Sequence, residues 1–257
     1  MISLSFPVET FYVALIFYSV SSLFYFSRYR ELSLFFLFCG FLTNLISEIS
    51  GRLIITPFCN MFSEPFFLPL FTSTFSLFLF IVGRREEALS LIPLTAILAL
   101  IAGFFSEGYY PPFTIMSKSI YAHIFHLLVF TSHGLFIAAA YLSTQSLIKR
   151  RSDGFSWTVM ALGFSLLCIS GLFGMMWSYM GRGDLISWNH YYFHSIALWF
   201  YYVGILHLSF TRNWRDGERV ALLWGGILLI FVFDYLPQIG GIHAPSILNT
   251  NIYKVAM

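Results

Sequence analysis

Seven histidines are the side chains of this sequence best suited to chemistry, and none of them precedes residue 123. They are His123, His126, His133, His190, His194, His207 and His243. The chain is very apolar, and ionisable groups at membrane depth are costly enough to be functional candidates by default. No HExxH pattern, no close set of cysteines and histidines and no carboxylate cluster accompanies them. Zinc is therefore not the favoured ligand.

The spacing of the histidines divides them between two depths. A helix rises about 1.5 Å per residue, so His207 lies roughly 20 Å beyond His194. His133 falls between the levels, and the outer level holds His123, His126, His190, His194 and His243. A single metal ion cannot join His207 to the outer set. Histidines at separate depths in an aromatic chain favour haem, whose iron takes axial imidazoles while its faces pack on apolar rings.

The composition excludes a soluble fold. Hydrophobic residues make up 58% of the chain and charged residues 10%, with a mean hydropathy of +0.77, whereas soluble domains carry about a quarter charged residues. A net charge of +2 provides no basic field for nucleic acid. Cys39, Cys59 and Cys168 form no CxxC pair, and we expect them to be inert packing residues.

The apolar runs predict an all-α, polytopic membrane protein with about eight transmembrane helices. The predicted spans are 7–27, 33–54, 66–83, 88–105, 120–142, 155–180, 193–211 and 220–238. Ten of the fourteen Lys and Arg residues fall in alternate connections, and the positive-inside rule places those connections in the cytoplasm and both termini outside. No basic region precedes the first run, which we interpret as a retained helix. Residues 1–257 are predicted to form a single membrane domain.

A tryptophan-rich segment leads into the seventh span. Residues 174–207 read GMMWSYMGRGDLISWNHYYFHSIALWFYYVGILH and resemble, without a gap, the WWD signature of the CcsA/ResC haem-handling proteins. The positions that keep the family's residue types are Gly174, Trp177, Gly183, Ser187, Trp188, Ala197, Leu198, Trp199, Tyr202 and His207. The flanking segments 117–142 and 233–246 also resemble the family, so the resemblance covers a core of 117–246. The first four spans match only as apolar helices.

The resemblance implies a fold that moves haem through the membrane. His123 and His243 would be axial ligands of a b-type haem held in transit at the outer face, beside the aromatic WWD loop, and Trp177, Trp188 and Trp199 would also contribute to haem binding. His207 would bind haem inside the lipid membrane, with its second ligand from a partner subunit of the CcsB/ResB type. The haem is then presented to apocytochrome c, whose CxxCH thiols add to the vinyl groups. The chain would form the haem-handling part of a cytochrome c synthase in the bacterial inner (plasma) membrane, and no catalytic side chain is identified.

The segment also departs from the signature. Arg182 and Ile186 stand where the family has tryptophans, Asn189 replaces the aspartate that names the motif, and 190–192 replace a Pro-Lys-Glu run. Asn189 keeps a hydrogen-bond acceptor but loses a charge. We hypothesise that Arg182 pairs with a haem propionate in its place.

Three other functions remain open. A transporter or channel would use intramembrane polar groups such as Glu48, His133 and Asp234. A b-type electron-transfer protein would keep its haem permanently and would pair histidines at matched depth on facing helices. A CcmC-like haem delivery subunit also has a tryptophan-rich loop and two outer histidines, but it has six spans and no deep histidine.

Overall fold

The structure, a computed structural model, is built from helices. It describes residues 6–55, 64–104, 119–150, 154–186, 190–211 and 215–235. Within these ranges there are eight α-helices and no strand, which confirms the predicted fold class. The helices are α1 (Phe6–Phe26), α2 (Arg30–Ile55), α3 (Glu64–Ile81), α4 (Arg85–Phe104), α5 (Ile120–Lys149), α6 (Gly154–Arg182), α7 (His190–Thr211) and α8 (Asp216–Ile230).

The lengths of the helices suit a polytopic membrane protein. Five described segments are long and apolar enough to cross a membrane: Phe6–Phe26, Arg30–Gly51, Arg85–Phe104, Ile120–Lys149 and Gly154–Arg182. Pro65–Ile81 and Phe193–Leu208 are shorter apolar helices. The last predicted span, 220–238, starts earlier than expected, at Asp216, and its α-helical part ends at Ile230, where a π-helical turn, Phe231–Tyr235, follows. The side on which the termini lie stays a prediction.

The chain divides into two compact units. The first contains α1 to α4, and the second spans 118–240 and contains α5 to α8. The second unit begins one residue after the start of the predicted core at 117. That the whole chain forms a single membrane domain stays a prediction.

A buried tyrosine organises the first unit. Tyr18 on α1 is fully buried, and its ring fills the space beside Gly40 on α2, where a Cβ atom would lie 2.6 Å from the ring. Its hydroxyl lies 3.1 Å from Ser73 Oγ and accepts a hydrogen bond of 3.4 Å from Asn44 Nδ2. The tyrosine therefore joins α1, α2 and α3. Buried hydrogen bonds between helices replace the bonds to water that these polar groups lack in lipid.

One continuous line of contacts joins the four helices of the second unit. Gly163 on α6 accommodates the Phe136 ring of α5, with 3.1 Å from its ideal Cβ position to the ring. The Phe136 ring stacks on Tyr202 of α7 with centroids 3.6 Å apart and planes at 8°. The Tyr202 hydroxyl in turn lies against Gly226 of α8. We call these four residues the packing line.

Truncating the packing line should unfold the second unit preferentially. Tyr202→Ala removes a fully buried ring, so we expect a loss of about 3–5 kcal/mol in the free energy of unfolding, measured by denaturant titration in detergent. Tyr202→Phe is the matched control, because the buried hydroxyl has no hydrogen-bond partner among the described residues, and we expect its stability to be unchanged or slightly higher. Equal losses in the two variants would contradict the role assigned to the ring.

Candidate functional site

His126 and Trp177 meet where the predicted outer ends of α5 and α6 pack together. Their ring centroids lie 5.7 Å apart with an edge-to-face angle of 68°. Phe125 and Phe130 flank the same imidazole, with centroids at 4.9 and 5.7 Å. His126 Nε2 is buried and has no hydrogen-bond partner in the part of the chain that the structure describes. A ligating nitrogen is therefore enclosed by flat apolar rings.

A glycine of α6 makes room for this cluster. Gly174 lies against Phe125, whose ring would be 3.0 Å from a Cβ atom at that position. Ser178, one turn further along α6, has a buried hydroxyl that bonds to none of the described residues. Gly174 was singled out in the sequence because it matches the signature. Its structural reason is the close approach of an aromatic ring.

The predicted ligand His123 lies one helical turn before His126. It is partly buried, and the two imidazoles are close enough to interact electrostatically. Sequence reasoning assigned no role to His126, although an i,i+3 spacing puts two histidines side by side on one helix. Three predicted site residues, Trp188, Asn189 and His243, lie outside the described residues.

Trp199 does not join the His126–Trp177 cluster. It is 38% exposed on α7, contacts Phe164 with a centroid separation of 6.2 Å, and donates from Nε1 to Cys168 Sγ at 3.2 Å. Cys168 lies nine residues before Trp177 on α6, which is about 14 Å along the helix. Trp177 and Trp199 therefore lie at different depths. Arg182, the last residue of α6, is exposed.

His207 lies on an exposed face of α7. Leu198, Tyr202 and Ile205 form the buried face of this helix. The opposite side carries residues spaced three and four apart, which we call the open face: Ile196, Phe200, Gly204 and His207. Phe200 is 64% exposed, and a Cβ atom at Gly204 would meet no described atom within 4 Å. The His207 imidazole makes no hydrogen bond with the described residues.

The packing line shows that the two predicted haem levels are far apart. His123 lies 13 residues before Phe136 on α5, and His207 lies five residues after Tyr202 on α7. The helices α5 and α7 run in the same direction, since a single helix, α6, connects them. At 1.5 Å per residue, the two histidines are roughly 27 Å apart along the bundle. One metal ion cannot bind both.

Two further histidines of the second unit, His133 and His194, are buried or stacked on a ring, and the side chain of His190 lies outside the described part. His133 is 2% exposed on α5. His194 stacks on Phe233 of the π-helical turn, with centroids 4.7 Å apart and planes at 9°. Of the polar groups proposed for a transport pathway, Glu48 is buried in the first unit, and the side chain of Asp234 lies outside the described part.

The donor set fits an iron porphyrin better than a bare metal ion. Among the described residues, no group of three or more His, Cys, Asp and Glu side chains converges on one point. Two of the described imidazoles, those of His126 and His194, instead lie beside aromatic rings. A porphyrin supplies four equatorial nitrogens itself and needs only axial imidazoles and flat apolar walls. His126 with its buried free nitrogen and His207 beside an open glycine both meet that requirement.

The buried imidazole of His126 should lower the stability of the fold. His126→Phe keeps a ring against Trp177 and Phe130 but removes the buried nitrogen that lacks a partner. We expect the free energy of unfolding to rise by about 1–2 kcal/mol, because a buried unsatisfied polar group is unfavourable. Thermal unfolding in detergent measures this, and His126→Ala, which loses the ring contacts, should be less stable. A less stable His126→Phe variant would mean that the imidazole has a structural role.

Comparison with curated proteins relates the chain to one family. It is 30% identical over 96 residues to the cytochrome c biogenesis protein CcsA of Microcystis aeruginosa, which is 37% of this chain and 29% of the relative. The CcsA protein of Nostoc punctiforme is 34% identical over 107 residues, 41% of this chain and 30% of its own length. The CcsA protein of Porphyra purpurea is 29% identical over 91 residues, which is 35% of this chain and 28% of the relative.

The aligned segment covers less than a third of the length of each of these relatives. No family model matches the chain, and no solved structure matches it. The matched proteins nevertheless all carry the same name. These matches show that part of the chain is similar to the CcsA cytochrome c biogenesis proteins.

Proposed function

We propose that the chain acts in cytochrome c biogenesis by binding haem within the membrane and presenting it at the outer face for attachment to apocytochrome c. The observation that carries this proposal is the exposed imidazole of His207 on an apolar helix. A polar group at membrane depth is costly unless it has a partner. No described residue of the chain bonds to it, so the imidazole is open to a ligand on that face of α7.

At the deeper site, His207 supplies one axial ligand for haem. The open face of α7 provides apolar surface for one side of the macrocycle, chiefly through Phe200. The second axial ligand comes from a partner subunit of the CcsB/ResB type, which would cover the same face. A helix that is buried on one side only is suited to this, because a ligand and a partner can reach its other side.

At the outer site, the chain contributes His123 together with His243. Trp177 and the rings of α5 form the wall on the side of His126, and Trp188 and Asn189 are the other signature residues assigned to this site. Haem brings the iron and the reactive vinyl groups, and the chain orients it and keeps water from it. The bound haem is b-type and in transit, in the bacterial plasma membrane.

Absorption spectra of the purified protein test this function. The protein from haem-replete cells, co-expressed with its partner, should show six-coordinate haem as isolated and when reduced. His207→Ala and His123→Ala should each change the spectrum and lower the haem content by about half or more, because each removes an axial ligand of one site. Leu208→Ala, at the exposed neighbour of His207, is the matched control and should retain full haem content.

The level of c-type cytochromes in the same cells separates the alternatives. Biogenesis requires that this level falls in the histidine variants. Normal levels with a haem-bearing protein would indicate electron transfer instead. Haem-free protein from these cells would refute the proposal and favour the transporter.

Arg182 should contribute to haem retention through its charge. Arg182→Gln keeps length and hydrogen-bonding capacity but removes the positive charge available to a propionate. We expect haem to dissociate about tenfold faster, corresponding to a charge-assisted hydrogen bond of about 1.5 kcal/mol. Transfer of haem to excess apomyoglobin measures the rate, with Arg182→Lys as the charge-preserving control. Equal rates in Arg182→Gln and the parent protein would exclude the propionate contact.

A further inference from the structure

Four glycines inside the helices of the second unit have an evident packing partner. The side chains that fill the space where a Cβ atom would lie come from a neighbouring helix, and all of them are aromatic except for Leu135 at Gly163. These glycines are Gly163, Gly174, Gly225 and Gly226. Glycine weakens a helix, so each is explained by a ring that approaches the backbone closely.

Gly204, by contrast, has no such ring against it among the described residues. It lies in the middle of α7, and a Cβ atom there would meet no described atom within 4 Å. Gly154 and Gly217 are also open, but they lie in the first turns of their helices, where glycine destabilises a helix less. Among the glycines whose surroundings the structure describes, Gly171 on α6 is open in a comparable mid-helix position.

Gly204 differs from Gly171 in what lies one turn further along the helix. Three residues after Gly204 is His207, which is exposed on the same face. Side chains of a helix lean toward its N-terminus and cover the turn that precedes their own Cα atom. The imidazole of His207 therefore leans toward the turn that contains Gly204, without coming within 4 Å of the position of a Cβ atom there. Three and four residues after Gly171 are Gly174 and Met175, neither of which is an imidazole.

We propose that Gly204 is a positioning residue for haem at His207, the notch that lets the flat macrocycle approach the backbone of α7. The inference rests on the proposed function of His207 and adds a residue that the resemblance does not mark. A ring bound through His207 meets the turn containing Gly204, as the rings of Phe125, Phe136 and Tyr202 meet their own glycines. Phe200, one turn earlier on the open face, then borders the notch on its far side.

The absence of a side chain at position 204 favours a flat ligand. A β carbon at position 204 would project from α7 toward the iron side of the imidazole, so a macrocycle would be held further from the helix. A methyl group displaces the ring slightly, and a branched side chain displaces it beyond the reach of His207. A compact ligand such as a single metal ion would bind to His207 regardless of the side chain at 204.

Haem titration of the full chain in detergent micelles tests the proposal, in a His123→Ala/His243→Ala background that leaves His207 as the assigned ligand. Imidazole is added as the second axial ligand. We expect Gly204→Leu to raise the dissociation constant for haem about tenfold or more and Gly204→Ala to raise it less. Gly171→Leu, the same change at the other open glycine, should leave the constant within about twofold. The melting temperature of haem-free Gly204→Leu should match that of the parent, because the new side chain faces open space.

The outcomes separate this inference from the function on which it rests. If the background protein binds no haem that depends on His207, the proposed deep site is wrong and the inference falls with it. If it binds haem through His207 and Gly204→Leu binds equally tightly, the function stands and the role of Gly204 is refuted. An equal weakening in Gly171→Leu would also refute it, because the effect would then come from helix substitution in general.

Discussion

The close fit between a glycine and an aromatic ring is the interaction on which the second unit depends. Lipid tails are as apolar as the side chains, so helices in a membrane gain little from burying apolar surface and must instead fit closely. The line from Gly163 through Phe136 and Tyr202 to Gly226 achieves this for α5, α6, α7 and α8 together. The distance between the levels of His123 and His207 follows from the positions of Phe136 on α5 and Tyr202 on α7.

This packing leaves α7 held on one side. Leu198, Tyr202 and Ile205 are buried, while Phe200 and His207 on the other side are exposed. The hydrogen bond from Tyr201 to the Leu222 carbonyl of α8, at 2.8 Å, adds to the same attachment. A helix fixed along one face keeps its other face at a defined angle without covering it. That arrangement suits an imidazole whose ligand arrives from the membrane.

The helices were predictable from sequence, whereas the site contacts were only partly so. Runs of apolar residues and the Lys and Arg between them located all eight helices, because length and hydropathy are properties of single segments. The end of α8 at Ile230 was missed, since the change to a π-helical turn inside an apolar run leaves no compositional mark. The pairing of His126 with Trp177 depends on the register of α5 against α6, which spacing along one helix cannot give. Gly204 was visible as a glycine three residues before His207, but its meaning required knowing which side of α7 is exposed.

The residues that the signature keeps and those it changes occupy different kinds of positions. Gly174, Leu198 and Tyr202 are buried and hold the helices together, and Gly183 has a φ of 81°, a left-handed conformation that favours glycine where α6 ends. Arg182 and Ile186, which replace tryptophans, are exposed. Their exchange leaves the packing of the unit intact and alters only the surface offered to a ligand. Much of the resemblance therefore reflects a shared way of packing helices. The argument for haem rests on the histidines, because helix packing alone does not require imidazoles at these positions.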